Sequence, residues 1–509
     1  MGHLDEVAAV LADHPGRTSA EVRDVLRARG RVSMTTADVA RALGSRPSRF
    51  RSDGAVPPRW WLAAQAPAAA PLALPSRPSL YRWQTDALTA WRARDRRGVV
   101  EAVTGAGKTM LGLAATVDAR SSGSQVCILV PTRELLQQWR VALGRHLDPT
   151  ASIGLLGADH RDRFGDHDVL IAVVNSARGA DLRPRRPGSL LIADECHRYG
   201  SDENRLALEP GFPRRLGLSA TYARADDGNR AWLDPYFGGT CYQLGYRRAI
   251  DEGVVAHFSV ALIAVCFDPD ERTEYDALTL EMSKARAQLH ASGLVPDESI
   301  GAFFAAIARL AKHGDNEAVG AARQYLRSMQ QRRHLLAETP GKADTLAVLA
   351  PALRAADRAI VFTQSIIAAE RAAAMLRTCG LRAEATHSAL APSARQSVLT
   401  RFGAGSVEAI CAPQVLDEGV DVPAADVAVI LASSRTRRQM VQRLGRILRP
   451  KADGRVARLV IVYVEGTIED PALGAHEGFL DEVDHVADLV RRFPPGTTLD
   501  AIAFVSAHA

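Results

Sequence analysis

One nonapeptide constrains this chain more than any other stretch: Glu101-Ala102-Val103-Thr104-Gly105-Ala106-Gly107-Lys108-Thr109. Val99-Val100 before it reads as a strand end, and Met110-Leu111-Gly112-Leu113-Ala114-Ala115 after it reads as a helix. A strand, a Gly-rich turn and Lys-Thr opening a helix is the layout of a phosphate-binding loop. Glycine lets successive backbone N–H groups turn toward a polyphosphate, and the helix N-terminus adds partial positive charge behind them. Thr104, Gly105, Ala106 and Gly107 form the expected cradle. Lys108 is expected on the β and γ phosphates of ATP, and Thr109 on Mg²⁺. The strict pattern asks for Gly where Ala102 stands. Lysine is rare here, occurring only at 108, 284, 312, 342 and 451, which argues against a chance match.

ATP hydrolysis also needs a carboxylate in the Mg²⁺ shell and a group that orients the attacking water. Leu190-Leu191-Ile192-Ala193 reads as a buried strand, and Asp194-Glu195-Cys196-His197 follows it directly. Asp194 is expected to hold the metal and Glu195 to orient water. An exposed acidic pair at a strand end is the plainer alternative. No partner His or Cys stands at ligand spacing from His197, which reads instead as a relay between the ATP site and a nucleic-acid side.

The chain has 509 residues, enough for two to four domains. Residues 3–62 read as a small unit: three short helices, the second and third capped by Thr18-Ser19 and Thr35-Thr36, then a hairpin from Phe50-Arg51-Ser52-Asp53-Gly54 and Arg59-Trp60-Trp61-Leu62. This resembles a winged helix-turn-helix with Arg46, Arg49 and Arg51 toward DNA; a three-helix protein-docking module is the equal alternative. Residues 63–78 are an Ala/Pro linker. From 79 the chain alternates apolar runs with amphipathic helices, the α/β pattern of a parallel sheet, with functional groups at the carboxyl ends of strands. A first α/β unit is expected over 79–267, a helical insertion over 268–338, a second α/β unit over 339–465 and a helical tail over 466–509.

The net charge of +5 is compatible with nucleic acid. No apolar run approaches a membrane span, and the N-terminus shows neither a basic nor an apolar signal region. The six cysteines are scattered without a Cys-x-x-Cys pair, which fits a reducing cytosol and argues against a zinc ribbon.

Six stretches together carry a family resemblance: residues 102–109, 131–135, 194–197, 219–221, Gly419-Val420-Asp421 and Gln442-Arg443-Leu444-Gly445-Arg446-Ile447-Leu448-Arg449. Their order resembles that of the superfamily 2 DExH/DEAD-box helicases, closest to the XPB/RAD25-like bacterial branch. The resemblance covers about 79–465 and implies two tandem RecA-like parallel-sheet domains, with ATP in the cleft and a nucleic-acid strand across both. By that resemblance Gln84 reads adenine, and Thr132, Arg133, Ser176 and Thr386 lie near the strand's phosphates. It also implies Asp421 on the ribose side and Arg446 and Arg449 on the γ-phosphate. The plain alternative for these two arginines is a solvated basic face shared with Arg435, Arg437, Arg438 and Arg443. The chain departs from the family at Cys196, where Ala is usual, and in lacking a clear Arg-Glu-Asp motif.

The expected function is an ATP-dependent DNA helicase or double-strand translocase, with protein partners reached through the N-terminal module. An RNA helicase, and an ATP-switched DNA-binding regulator in a defence or repair complex, are the rivals.

Overall fold

The computed structural model describes every residue except 1–2, 31–33, 45–49, 53–58, 63–78, 225, 297–299, 313–316, 414–424, 432–436, 446, 451–453 and 507–509. The chain divides into two units, Met1–Ser76 and Arg77–Ala509.

In the first unit, helices His3–Asp13, Ser19–Ala28 and Thr36–Gly44 enclose Val7, Leu11, Val22, Leu26, Val39 and Leu43. Thr18 and Glu21 form a reciprocal capping box at the second helix. Thr35 Oγ1 accepts from Asp38 N at 3.2 Å at the third. Phe50–Ser52 and Arg59–Leu62 pair antiparallel, and Arg17–Thr18 adds a third strand beside Arg59–Leu62.

The larger unit contains two sheets. In the first, the spatial order is Thr240–Leu244, Arg97–Ala102, Arg214–Ser219, Leu190–Asp194, Val126–Val130, Val169–Val173, Ile153–Gly157 and His160–Arg161. All neighbours are parallel except the last pair. Val126–Val130 and Leu190–Asp194 are buried along their whole length, which is why they read as unbroken apolar runs. The register sets Leu218 opposite Asp194 and Ser219 opposite Glu101, so three functional loops leave one edge together.

The second sheet runs Ala383–Ala385, Ala409–Pro413, Ala359–Thr363, Val427–Ile430, Ala457–Val464, Phe258–Val265 and Leu489–Phe493, all parallel. Two sequence boundaries are corrected here. Phe258–Val265, expected in the first unit, pairs along its full length with Ala457–Val464 in the second sheet. The C-terminal tail, expected to be helical, supplies the edge strand Leu489–Phe493 before its last helix, Thr498–Ser506. Both errors have one physical source: an apolar run declares itself a strand, but its partner is chosen by contacts far along the chain.

Between these strands lie helices Pro269–Ala291, Ile300–Leu310 and Glu317–Glu338, as the sequence indicated. They enclose Leu289, Phe303, Ile307 and Ala322. Tyr275 anchors them, its hydroxyl accepting from Ile468 N at 2.9 Å. Among the described residues no helix is long and apolar enough to cross a membrane. All six cysteines are free.

Candidate functional site

The loop between strand Arg97–Ala102 and helix Lys108–Ser121 is built on two left-handed glycines, Gly105 (φ 87°) and Gly107 (φ 86°). A side chain at either position would strain the backbone. Gln84, on helix Arg82–Ala93, is buried beneath the loop. Its Nε2 donates to Gly107 O at 3.0 Å, and its Oε1 accepts from Tyr81 N at 2.8 Å. Both ends of the amide are thereby used to brace the turn.

Lys108 Nζ donates to Ala102 O at 2.9 Å and Val103 O at 3.5 Å. Burial pulls its ammonium below the usual lysine value, against the opposing pull of Glu195, Asp194 and Glu101 nearby. Asp194 is buried at the end of its strand, and that burial raises its carboxyl pKa. Two donors hold it in place: Trp139 Nε1 reaches Oδ2 at 2.8 Å and Glu195 N reaches Oδ1 at 3.1 Å. The indole is fixed in turn by Gly112, where an added Cβ would stand 2.5 Å from the Trp139 ring. Trp139 was missed by sequence reasoning. It lies on helix Arg133–His146, and no local pattern shows that its N–H meets a carboxylate on another strand.

Glu195 adopts φ 49°, ψ 51°, a left-handed backbone that a non-glycine residue holds only under constraint from its surroundings. Its Oε2 lies 3.4 Å from His197 Nδ1. His197 Nδ1 also meets Ser219 Oγ at 3.0 Å. Because the Ser219 hydroxyl donates to Thr221 O at 2.9 Å, it accepts from the imidazole. His197 thus links Glu195 to the 219–221 loop.

The site suits a nucleotide–metal pair. Thr104 Oγ1 is buried without a hydrogen-bond partner, Asp194 is a buried carboxylate, and Lys108 Nζ donates to the backbone carbonyls of Ala102 and Val103. A polyphosphate would take the lysine and threonine donors, and Mg²⁺ would offset the Asp194 charge beside Thr109.

The second domain reaches this loop through Gly445. A Cβ built there would lie 2.2 Å from Thr104 Cβ, and Gly445 O would be 3.4 Å from a Cβ on Gly105. Only glycine permits that approach. Gly445 follows helix Arg437–Leu444. Arg443, which only the plainer alternative put on a solvated basic face, is buried, with its guanidinium 5.1 Å from the Phe362 ring centroid. Burial pulls it down to about 10. Arg449 is half-buried; Arg446 and Asp421 lie outside the described residues.

Toward the expected strand path, Thr132 caps helix Arg133–His146 by accepting from Leu135 N at 3.3 Å, and Arg133 is exposed. Ser176 is half-buried on the short helix Val174–Ala177. Thr386 is enclosed: its N–H donates to Cys411 O at 2.9 Å, and its hydroxyl is buried without a hydrogen-bond partner. Ser365, which sequence reasoning passed over, caps helix Ile366–Thr378 just as Thr132 caps its helix. The signal was a Ser one residue before an apolar helical run.

Comparison with known proteins agrees with this geometry. Residues 77–224 match the domain described as "Type III restriction enzyme, res subunit", and residues 341–451 match "Helicase conserved C-terminal domain"; together these span about half the chain. The chain therefore belongs to the superfamily 2 helicases: it is an ATP-dependent helicase or translocase, a hydrolase. The relatives that match over about three quarters of the chain are of the XPB/Rad25 kind. It is 29% identical to the DNA 3'-5' translocase XPB2 of Sulfurisphaera tokodaii, over 76% of this chain and 82% of that one. It is 27% identical to a putative DNA 3'-5' helicase Rad25 of Haloarcula marismortui, over 73% of this chain and 50% of that one. The DNA 3'-5' helicase XPB of Mycobacterium tuberculosis is 25% identical over 76% of this chain and 61% of its own length. The chain thus spans about half of the second of these and about three fifths of the third. In fold, Saccharomyces cerevisiae Dbp5 bound to RNA and ADP BeF3 aligns with 84% of this chain and 93% of its own, at a TM-score of 0.55 and 13% identity.

Proposed function

We propose that this chain hydrolyses ATP between its two RecA-like domains and uses the cycle to move along DNA in the 3'-5' sense. The observation that carries the reading is the approach of Gly445 to Thr104 and Gly105, which makes the phosphate loop part of an interdomain surface. A group seated on that loop touches both domains, so its loss changes how they close.

Bound Mg²⁺·ATP supplies the reactive phosphoryl group. Lys108 exchanges the carbonyls of Ala102 and Val103 for phosphate oxygens. Thr109 and Asp194 would hold the metal side, and Trp139 keeps Asp194 aimed. Glu195 orients water, and its contact with His197 carries the state of the site to Ser219 and Thr221. Arg446 and Arg449 supply guanidinium charge from the second domain, a contribution worth about 10³–10⁵ in rate in phosphoryl-transfer enzymes. Asp421 contacts the ribose. Thr132, Arg133, Ser176 and Thr386 line the strand path, with Ser365 as a further member.

DNA is favoured over RNA by the DNA-acting sequence relatives. The N-terminal unit, winged-helix-like in its helix and strand order, is read as a duplex-holding module. The test is ATPase activity with single-stranded DNA, duplex DNA and RNA side by side, at several salt concentrations. Stimulation that grows with DNA length supports a motor. Stimulation by RNA alone, or none by any polymer, overturns the reading. Deletion of 1–75 is expected to leave stimulated ATPase intact and weaken duplex binding; unchanged affinity would favour protein docking for that unit.

A further inference from the structure

A cavity of about 220 Å³ opens beside the carboxyl end of strand Ala359–Thr363, between helices Pro340–Ala355 and Ile366–Thr378. It is smaller than the roughly 300–1,000 Å³ of drug-sized pockets, which suits a single ring system. Its walls include Leu346, Met375 and Leu431. Its cations are already matched by carboxylates. Lys342 Nζ, fully buried, lies 2.6 Å from Glu469 Oε2, and Arg371 Nη1 lies 2.6 Å from Glu338 Oε2. That matching disfavours a phosphate or another anion.

Two polar atoms are left over. Glu338 Oε1 and Thr339 Oγ1 are buried without hydrogen-bond partners, and Thr339 as a whole is 2% exposed. Thr339 is the N-cap of its helix yet makes no side-chain cap. Buried polar atoms are expensive to leave unpaired, so such a pair in an apolar slot calls for a partner. A charged carboxylate oxygen takes only a donor; a hydroxyl can give or take.

The cavity also adjoins Ser365, the residue proposed above as a further member of the strand path. Gln364, adjoining the Ser365 cap, lines it. Helix Ile366–Thr378, one of its walls, is tied to the loop after Thr386 by His387 Nε2 and Glu370 Oε1 at 2.8 Å.

We propose that this cavity receives one unstacked nucleobase of the bound strand, with preference for a base carrying an exocyclic amino group. Cytosine places its N4 amino donor on Glu338 Oε1 and an acceptor toward the Thr339 hydroxyl, in the way acidic side chains read cytosine N4 elsewhere. Thymine sets O4 against the carboxylate and is disfavoured. The inference rests on the strand-tracking reading above.

The test compares binding of dC and dT oligomers of equal length by fluorescence anisotropy, using the full chain. The dC oligomer is expected to bind about tenfold more tightly, the value of one charge-assisted hydrogen bond. Glu338→Gln, whose amide can donate to thymine O4, should bring the two affinities together by weakening dC and strengthening dT. Met375→Trp, which fills the slot, should erase the difference without changing ATPase activity measured in the absence of nucleic acid. Equal affinities in the unmodified protein, or a dC preference that survives both variants, would overturn the cavity assignment while leaving the motor intact. Failure of every oligomer to bind or to stimulate ATPase would overturn the motor reading and this one with it.

Discussion

Replacing Trp139 by Phe removes the N–H that reaches Asp194 Oδ2 at 2.8 Å, and the smaller ring also gives up part of the contact with Gly112. Asp194 then keeps its burial but loses a donor that favours its ionised form. Its carboxyl pKa is already raised by burial, and the Trp139 bond is the largest opposing influence. Removing that bond moves the pKa further up. A hydrogen bond to a charged group is worth about 1.5–3 kcal/mol, so on the acid side kcat/KM for Mg·ATP should fall about ten- to a hundredfold. The acid limb of its pH profile should move to higher pH, because metal binding needs the carboxylate.

Stability follows the opposite limb. A carboxyl whose folded pKa lies above its unfolded value contributes stability below the unfolded pKa and loses it as pH rises through the folded one. The Tm deficit of Trp139→Phe should therefore hold a constant part from the smaller buried ring and a second part that grows as pH rises from acid toward neutral. The assay is a pH series of kcat/KM and Tm on both proteins. An acid limb that superimposes on the parent's, with a Tm deficit independent of pH, would show that Trp139 is only packing and refute the reasoning.

Four further substitutions bear on the site. Gly445→Ala places a methyl 2.2 Å from Thr104 Cβ, so the domains must separate; hydrolysis should drop by at least about tenfold while the P-loop side still binds nucleotide, and retained turnover would remove Gly445 from the closure. Lys108→Ala should abolish turnover in a protein that still folds, since the ammonium donates to the carbonyls of Ala102 and Val103, both on the loop itself; near-normal ATPase would sink the assignment. Arg449→Ala should cripple hydrolysis while sparing ATP binding, and Arg438→Ala should do much less. If both merely weaken DNA binding in parallel, with turnover at saturating DNA unchanged, the arginines belong to a basic face.

The phosphate loop and the acidic pair were legible because their chemistry is local. Gly105, Gly107 and Lys108 are neighbours in sequence, and Asp194 directly closes its own apolar strand, so each half declares itself locally; the order of strands in the sheet then brings the two halves to one edge. The long buried runs Val126–Val130 and Leu190–Asp194 were legible for a similar reason, since a strand covered on both faces has no polar alternation to obscure it. What the tertiary structure decided is partnership. Phe258–Val265 is as apolar as any strand of the first sheet, and only its pairing with Ala457–Val464, nearly two hundred residues later, assigns it to the second. Leu489–Phe493 is half-exposed and carries two arginines, so its pattern hid an edge strand. Trp139 and Gly445 look ordinary in sequence and acquire their roles from a carboxylate and a methine that the fold brings against them. A residue's own conformational preference is written in its neighbours along the chain; which distant group it meets depends on how whole elements pack, and no local pattern records it.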